Sequence, residues 1–108
     1  MRNNLPTPNN ATPSVKWADL TDADLVGLYK DGSDFASSVL VVRHFNALRR
    51  VAFAIVKDYD VAADVVNDVF GLVLSEIRRG DYSECGTFRA YASRHVTILA
   101  NGRLQYAV

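Results

Sequence analysis

The three prolines of this chain, Pro6, Pro8 and Pro13, all lie within its first thirteen residues. Nothing downstream therefore breaks a helix by lacking a backbone N–H, and long helices are permitted through the rest of the chain. The leading stretch alternates those prolines with Asn3, Asn4, Asn9 and Asn10, which offer little to bury, so residues 1–18 are expected to form a flexible lead-in. A hydrophobic content of 49% over 108 residues supports one modest core, which places a single domain at residues 19–108.

Punctuation divides that domain into four segments. Thr21 stands before Asp22, with Asp24 in the acidic slot of a capping box and Leu20 and Leu25 placed as a hydrophobic staple. Gly32 supplies a stop, and Ser33 or Asp34 can cap the second segment. No breaker then intervenes before about Asp58. In this second segment Val41, Phe45, Leu48, Ala52 and Ile55 recur at steps of three and four, with Val39, Val42, Phe53 and Val56 widening the apolar stripe. Arg43, Asn46, Arg50 and Lys57 share another side, expected to be wet and basic.

The third segment starts with Asp60 as a plausible N-cap and ends at Gly80. Ala62, Val65, Val66, Val69, Phe70, Val73 and Ile77 form its apolar stripe, and Asp60, Asp64, Asn67, Asp68, Gly71, Ser75 and Arg78 the opposite face. Adjacent apolar pairs, Val65-Val66 and Val69-Phe70, rule out the alternation of a half-buried strand. After a turn-rich loop over 80–87, helical spacing returns with Phe88, Tyr91, Ala92, His95 and Leu99 on one side and Arg89, Ser93, Arg94, Thr97 and Arg103 elsewhere. The expected fold is an all-α, compact bundle of four helices at about 22–31, 34–57, 60–79 and 87–104.

Several function classes are disfavoured. Cys85 is the only cysteine, so no disulfide framework or C-x-x-C metal site is available, and no cofactor is expected. The N-terminus has no apolar signal region, and runs such as Val51–Val56 are too short to span a bilayer, which points to a cytoplasmic protein with no membrane partner. His44 and His95 fall in different segments with no nucleophile or phosphate loop, so the chain is not expected to be an enzyme. A small metal-dependent or hydrolytic helical enzyme using Asp64, Asp68 and His95 remains as a rival.

A net charge of zero argues against a free-standing nucleic-acid binder, but the charges are sorted along the chain. Residues 35–57 hold Arg43, Arg49, Arg50 and Lys57 without an acid; residues 58–76 hold Asp58, Asp60, Asp64, Asp68 and Glu76 without a base. Residues 77–108 return to net positive, with five arginines against Asp81 and Glu84. Such blocks fit separate faces for separate partners: an acidic helical stripe for a basic protein, and an arginine-bearing helix behind an aromatic loop for nucleic acid.

These motifs resemble region 2 of bacterial sigma factors of the extracytoplasmic-function (ECF) class. The run Asp60-Val-Ala-Ala-Asp-Val-Val-Asn-Asp-Val-Phe70 is similar to the family's D-x-A-x-D-x-x-Q-E-x-F, preceded by an opening like Asp22-x-Asp24-Leu-Val26. Thr87-Phe-Arg-Ala-Tyr91 resembles the F-R-A-W opening of the family's fourth helix, so the likeness covers about residues 20–105. It implies a transcription initiation domain whose third helix docks on the clamp helices of the largest subunit of core RNA polymerase through Asp64, Asn67 and Asp68. It also implies that residues 80–94 engage the non-template strand of the −10 promoter element during melting.

The DNA-binding candidates are the aromatics Tyr82, Phe88 and Tyr91 for stacking on a splayed base, and Arg89, Arg94 and Arg103 for phosphates, with His95 a weaker one. The chain departs from the family at Asn67 for Gln, Asp68 for Glu, Tyr91-Ala92 for Trp-Leu, and Ile98 for Asn. It carries no second helical domain, region 4, of the kind that reads the −35 element through a helix-turn-helix; a piece cut after region 2 is the simpler expectation, a naturally shortened protein the other. An alternative is a sigma-like regulatory module that binds polymerase or an anti-sigma factor without reading DNA.

Overall fold

The computed structural model describes residues 16–83 and 86–105. These residues form an all-α bundle of four helices: α1 (Asp22–Lys30), α2 (Asp34–Val56), α3 (Tyr59–Arg79) and α4 (Phe88–Gln105). A short 3-10 turn, Trp17–Asp19, precedes them. Most of the lead-in assigned to 1–18 lies outside the described residues, as do Glu84 and Cys85. Its end does not: Trp17 packs edge-on against Phe35 at 4.8 Å, and its carbonyl accepts from Arg43.

The local signals act largely as expected at α1. Thr21 and Asp24 close a full capping box, each side chain accepting from the other's backbone N–H at 3.0 Å. Ser33 occupies the N-cap of α2 without a side-chain cap bond, while the carboxylate of Asp34 accepts from Arg78 instead. Asp60 is not the cap of α3. Asp58 is, its carboxylate accepting from Val61 N–H at 2.9 Å, so the helix begins at Tyr59. The chain turns there on Lys57 alone, which adopts a left-handed conformation (φ 60°) and leaves only two residues between α2 and α3. Gly80 ends α3 in the same region (φ 83°), letting Asp81 N–H reach back to the Glu76 carbonyl at 2.8 Å.

The seven apolar positions predicted for α3 are its buried residues. On α2 the buried line differs: Ala36, Leu40, His44, Leu48 and Ala52, in unbroken steps of four, replace the predicted line through Val41, Phe45 and Ile55. Those three are only half-buried, and Val42 is 82% exposed. The cause is that α2 packs against α1, α3 and α4 together, so a single i±4 ridge lies deepest and the residues beside it become flanks. On α4, Val96 and Ala100 continue the buried line from Phe88 and Ala92, and His95 and Leu99 fall to half-buried positions.

Arg78, predicted on the polar face of α3, fastens that helix to the α1–α2 connection. Its guanidinium lies 3.8 Å above the Tyr29 ring, donates to the Tyr29 carbonyl at 2.7 Å, and pairs with Asp34 at 2.9 Å. No helix among the described residues is long and apolar enough to cross a membrane.

Candidate functional site

The polar face of α3 presents Asp60, Asp64, Asn67 and Asp68, all exposed. At 1.5 Å rise per residue they run along about 12 Å of helix. The stripe is held in place by the buried line on the other side of α3, so Asp60, Asp64 and Asn67 are positioned without being consumed. Asp64 and Asn67 make no side-chain bond within the described residues, whereas Asp68 accepts from Arg103 of α4 at 2.6 Å. Thus two residues predicted for different partners, Asp68 and Arg103, neutralise each other.

The aromatic candidates lie further inward. Phe88 is 3% exposed and Tyr91 9%, and both belong to the core. The Tyr91 hydroxyl donates to Glu76 at 2.8 Å; burial and the neighbouring carboxylate push its ionisation above the usual tyrosine value. Tyr82 is half-buried, packing at 4.7 Å on Tyr91 and 6.2 Å from Phe88. As placed, Phe88 and Tyr91 support the site from beneath and offer no free face to a base. Only Tyr82 of the three stands at its surface.

Between the start of α1 and the 80–87 loop there is a cleft of about 290 Å³, walled by Thr21, Asp22 and Val26 on one side and Tyr82, Gly86 and Phe88 on the other. Thr87 caps α4 beside it, accepting from Ala90 N–H at 3.1 Å. Of the arginines on α4, Arg94 is exposed, 6.0 Å from the Tyr91 ring centre, and Arg89 is exposed but anchored to α2. His95 sits 3.8 Å from Glu76.

That anchor was not anticipated. His44, 4% exposed, lies in the core with its ring 5.2 Å from that of Phe88. Its Nδ1 receives the Nε–H of Arg89 at 3.0 Å, and its Nε2 lies 2.9 Å from Asp22. Asp22 also accepts from Arg43 at 3.0 Å, and Arg43 donates to the Trp17 carbonyl at 2.9 Å. Burial pushes the Asp22 carboxyl upward, but the hydrogen bonds from His44 and Arg43 outweigh it and hold the group below the usual aspartate range. The partners come from positions 22, 44 and 89, too far apart for any local pattern to join them. One signal was present: His44 stands four residues from both Leu40 and Leu48, on the line that proves to be buried.

Among the described residues no group of three or more His, Cys, Asp or Glu side chains is arranged to hold a metal ion. Asp64, Asp68 and His95 are not brought together as such a set. In comparisons with known proteins, no family model matches the chain, and no curated protein or solved structure is significantly similar to it.

Proposed function

We propose that the chain is a transcription initiation domain acting in the cytoplasm, docking on core RNA polymerase through α3 and engaging the −10 region with the 80–87 loop and α4. The observation that carries this reading is the acidic stripe of α3. Asp60, Asp64 and Asn67 are exposed on one face of a helix whose other face is fully committed to the core. Such a stripe attracts and registers a basic partner more than it adds raw affinity. The sigma-like motif order along the sequence supplies the identity of that partner, the clamp helices of the largest subunit.

Promoter engagement draws on the cleft of about 290 Å³ beside Tyr82 as the place for part of a splayed base, with the exposed Arg89 and Arg94 of α4 as phosphate contacts. With no net charge the chain alone binds DNA poorly, and polymerase supplies the missing affinity. A pull-down with core polymerase tests the docking: the wild-type chain is retained, and Asp64→Arg is lost by placing a cation against a basic surface. Retention unaffected by Asp64→Arg would refute it.

A second reading, a regulatory module that occupies polymerase or an anti-sigma factor without reading DNA, is favoured by the burial of Phe88 and Tyr91 and by the Asp68–Arg103 bridge. The two separate on a fluorescent −10 non-template oligonucleotide added to the polymerase complex. A promoter-reading domain changes its fluorescence; the regulatory module leaves it unchanged.

A further inference from the structure

We infer that Arg89 is a preorganised phosphodiester site, and that Asp22 and His44 are the positioning residues that aim it. This deepens the DNA-engaging reading above and rests on it. An arginine stays protonated in proteins, so its Nε can only donate; the Nδ1 of His44, 3.0 Å away, must therefore be the acceptor. An imidazole that accepts at Nδ1 carries its proton at Nε2, where Asp22 receives it at 2.9 Å. Asp22 thus sets the tautomer, and the tautomer sets the arginine.

The guanidinium is held along one edge, Nε to His44 and Nη2 to the Arg43 carbonyl at 3.4 Å. Its other edge, Nη1 and the outward N–H of Nη2, has no partner among the described residues, and the side chain is exposed. Two parallel N–H groups on a fixed plane match two oxygens of a phosphate. The cost of ordering this long side chain has been met before any ligand arrives. The aromatic cleft begins one residue earlier, at Phe88, and this favours a nucleic-acid phosphate over a carboxylate.

A buried histidine serving the core alone would need neither a cation on Nδ1 nor an exposed residue at the end of the chain of bonds. Here a buried histidine links a carboxylate of α1 to a surface arginine of α4.

The test combines the full chain with core polymerase and a fluorescent single-stranded −10 oligonucleotide, with affinity measured across a potassium chloride series. His44→Phe keeps an aromatic ring and removes both bonds. It is expected to weaken oligonucleotide binding about 10-fold and to lower the slope of log affinity against log salt by about 0.7, one phosphate contact, with polymerase capture unchanged. Arg89→Ala gives the same change, and the double variant adds nothing further. His44→Gln, able to accept from Arg89 and donate to Asp22, recovers most of the loss. Nitrogen NMR of the imidazole in the chain alone shows the Nε2–H tautomer.

An unchanged salt slope in His44→Phe or Arg89→Ala, or an Nδ1–H tautomer, overturns this inference while leaving the parent reading intact. So does a His44 dependence that follows an acidic glutamate peptide instead of the oligonucleotide. A wild-type chain that captures no polymerase, or binds no oligonucleotide on it, overturns the parent reading and this inference with it. If His44→Phe does not fold, the wild-type tautomer and the Arg89→Ala slope decide.

Discussion

Helices α3 and α4 spend their polar residues in opposite ways. On α3 the buried apolar stripe holds the helix together with Arg78, Glu76 and Asp68, which bond to neighbouring elements, and Asp60, Asp64 and Asn67 are left to the solvent. On α4 the polar groups are themselves part of the attachment: Arg89 to His44, Tyr91 to Glu76, Arg103 to Asp68. The difference teaches that a helix can offer a recognition surface without structural cost only when its packing is complete without that surface. Substitutions at Asp60, Asp64 and Asn67 should therefore separate binding from stability, and those at Arg89 and Tyr91 should not.

The largest expected effect probes the α3 half of that contrast. Ile77→Ala removes a 1%-exposed side chain and should cost about 2–5 kcal/mol in urea unfolding, whereas Asp64→Asn on the opposite face stays within about 0.5 kcal/mol. Equal losses at the two positions would break the contrast. Next comes Tyr91→Phe on α4, which leaves the half-buried Glu76 without its donor and should cost about 1–2 kcal/mol in the same assay. No loss there would show that α4 is held by its apolar line alone.

A smaller effect belongs to acid conditions. Because Asp22 titrates below its unfolded value, its contribution is present above the ordinary aspartate range and is lost as pH falls through the depressed folded value. Asp22→Asn should therefore lower the midpoint of thermal unfolding at neutral pH and flatten its decline in acid; a decline of unchanged steepness counts against the assignment. Smallest of all, Arg103→Ala opens an exposed bridge and should change stability by less than about 0.5 kcal/mol. A larger loss would mean that the bridge, despite its exposure, helps hold α4 on α3.

How much of the fold and site was legible in the sequence depends on how many neighbours each helix has to satisfy. On α3 the sequence separates Val65, Val66, Val69 and Val73 from Asp64, Asn67 and Asp68 cleanly, and the periodicity names every buried residue. On α2 apolar or small residues occur on most sides of the helix, so the pattern says that the helix is central but not which line lies deepest. Which ridge lies deepest depends on where α1, α3 and α4 press, and His44 is drawn inward because Asp22 and Arg89 arrive to satisfy it. Capping was readable where two signals agree, as at Thr21 and Asp24, and misplaced by two residues where Asp58 and Asp60 compete. The exposure of Asp64, Asn67 and Asp68 was legible; the pairing of Asp68 with Arg103 and the attachment of Arg89 were not, because they join positions 35 and 45 residues apart.

The Asp68–Arg103 bridge makes the two sides of the domain thermodynamically aware of each other. A cation that takes Asp68 from α4 releases Arg103, and an anion that takes Arg103 releases Asp68. Whichever ligand arrives first bears the cost of opening the pair, and the second finds it already open. Linkage requires that assistance to be equal in both directions. Its size is bounded by what the exposed pair is worth, under about 1 kcal/mol, so the bridge can bias the order of two binding events without preventing either.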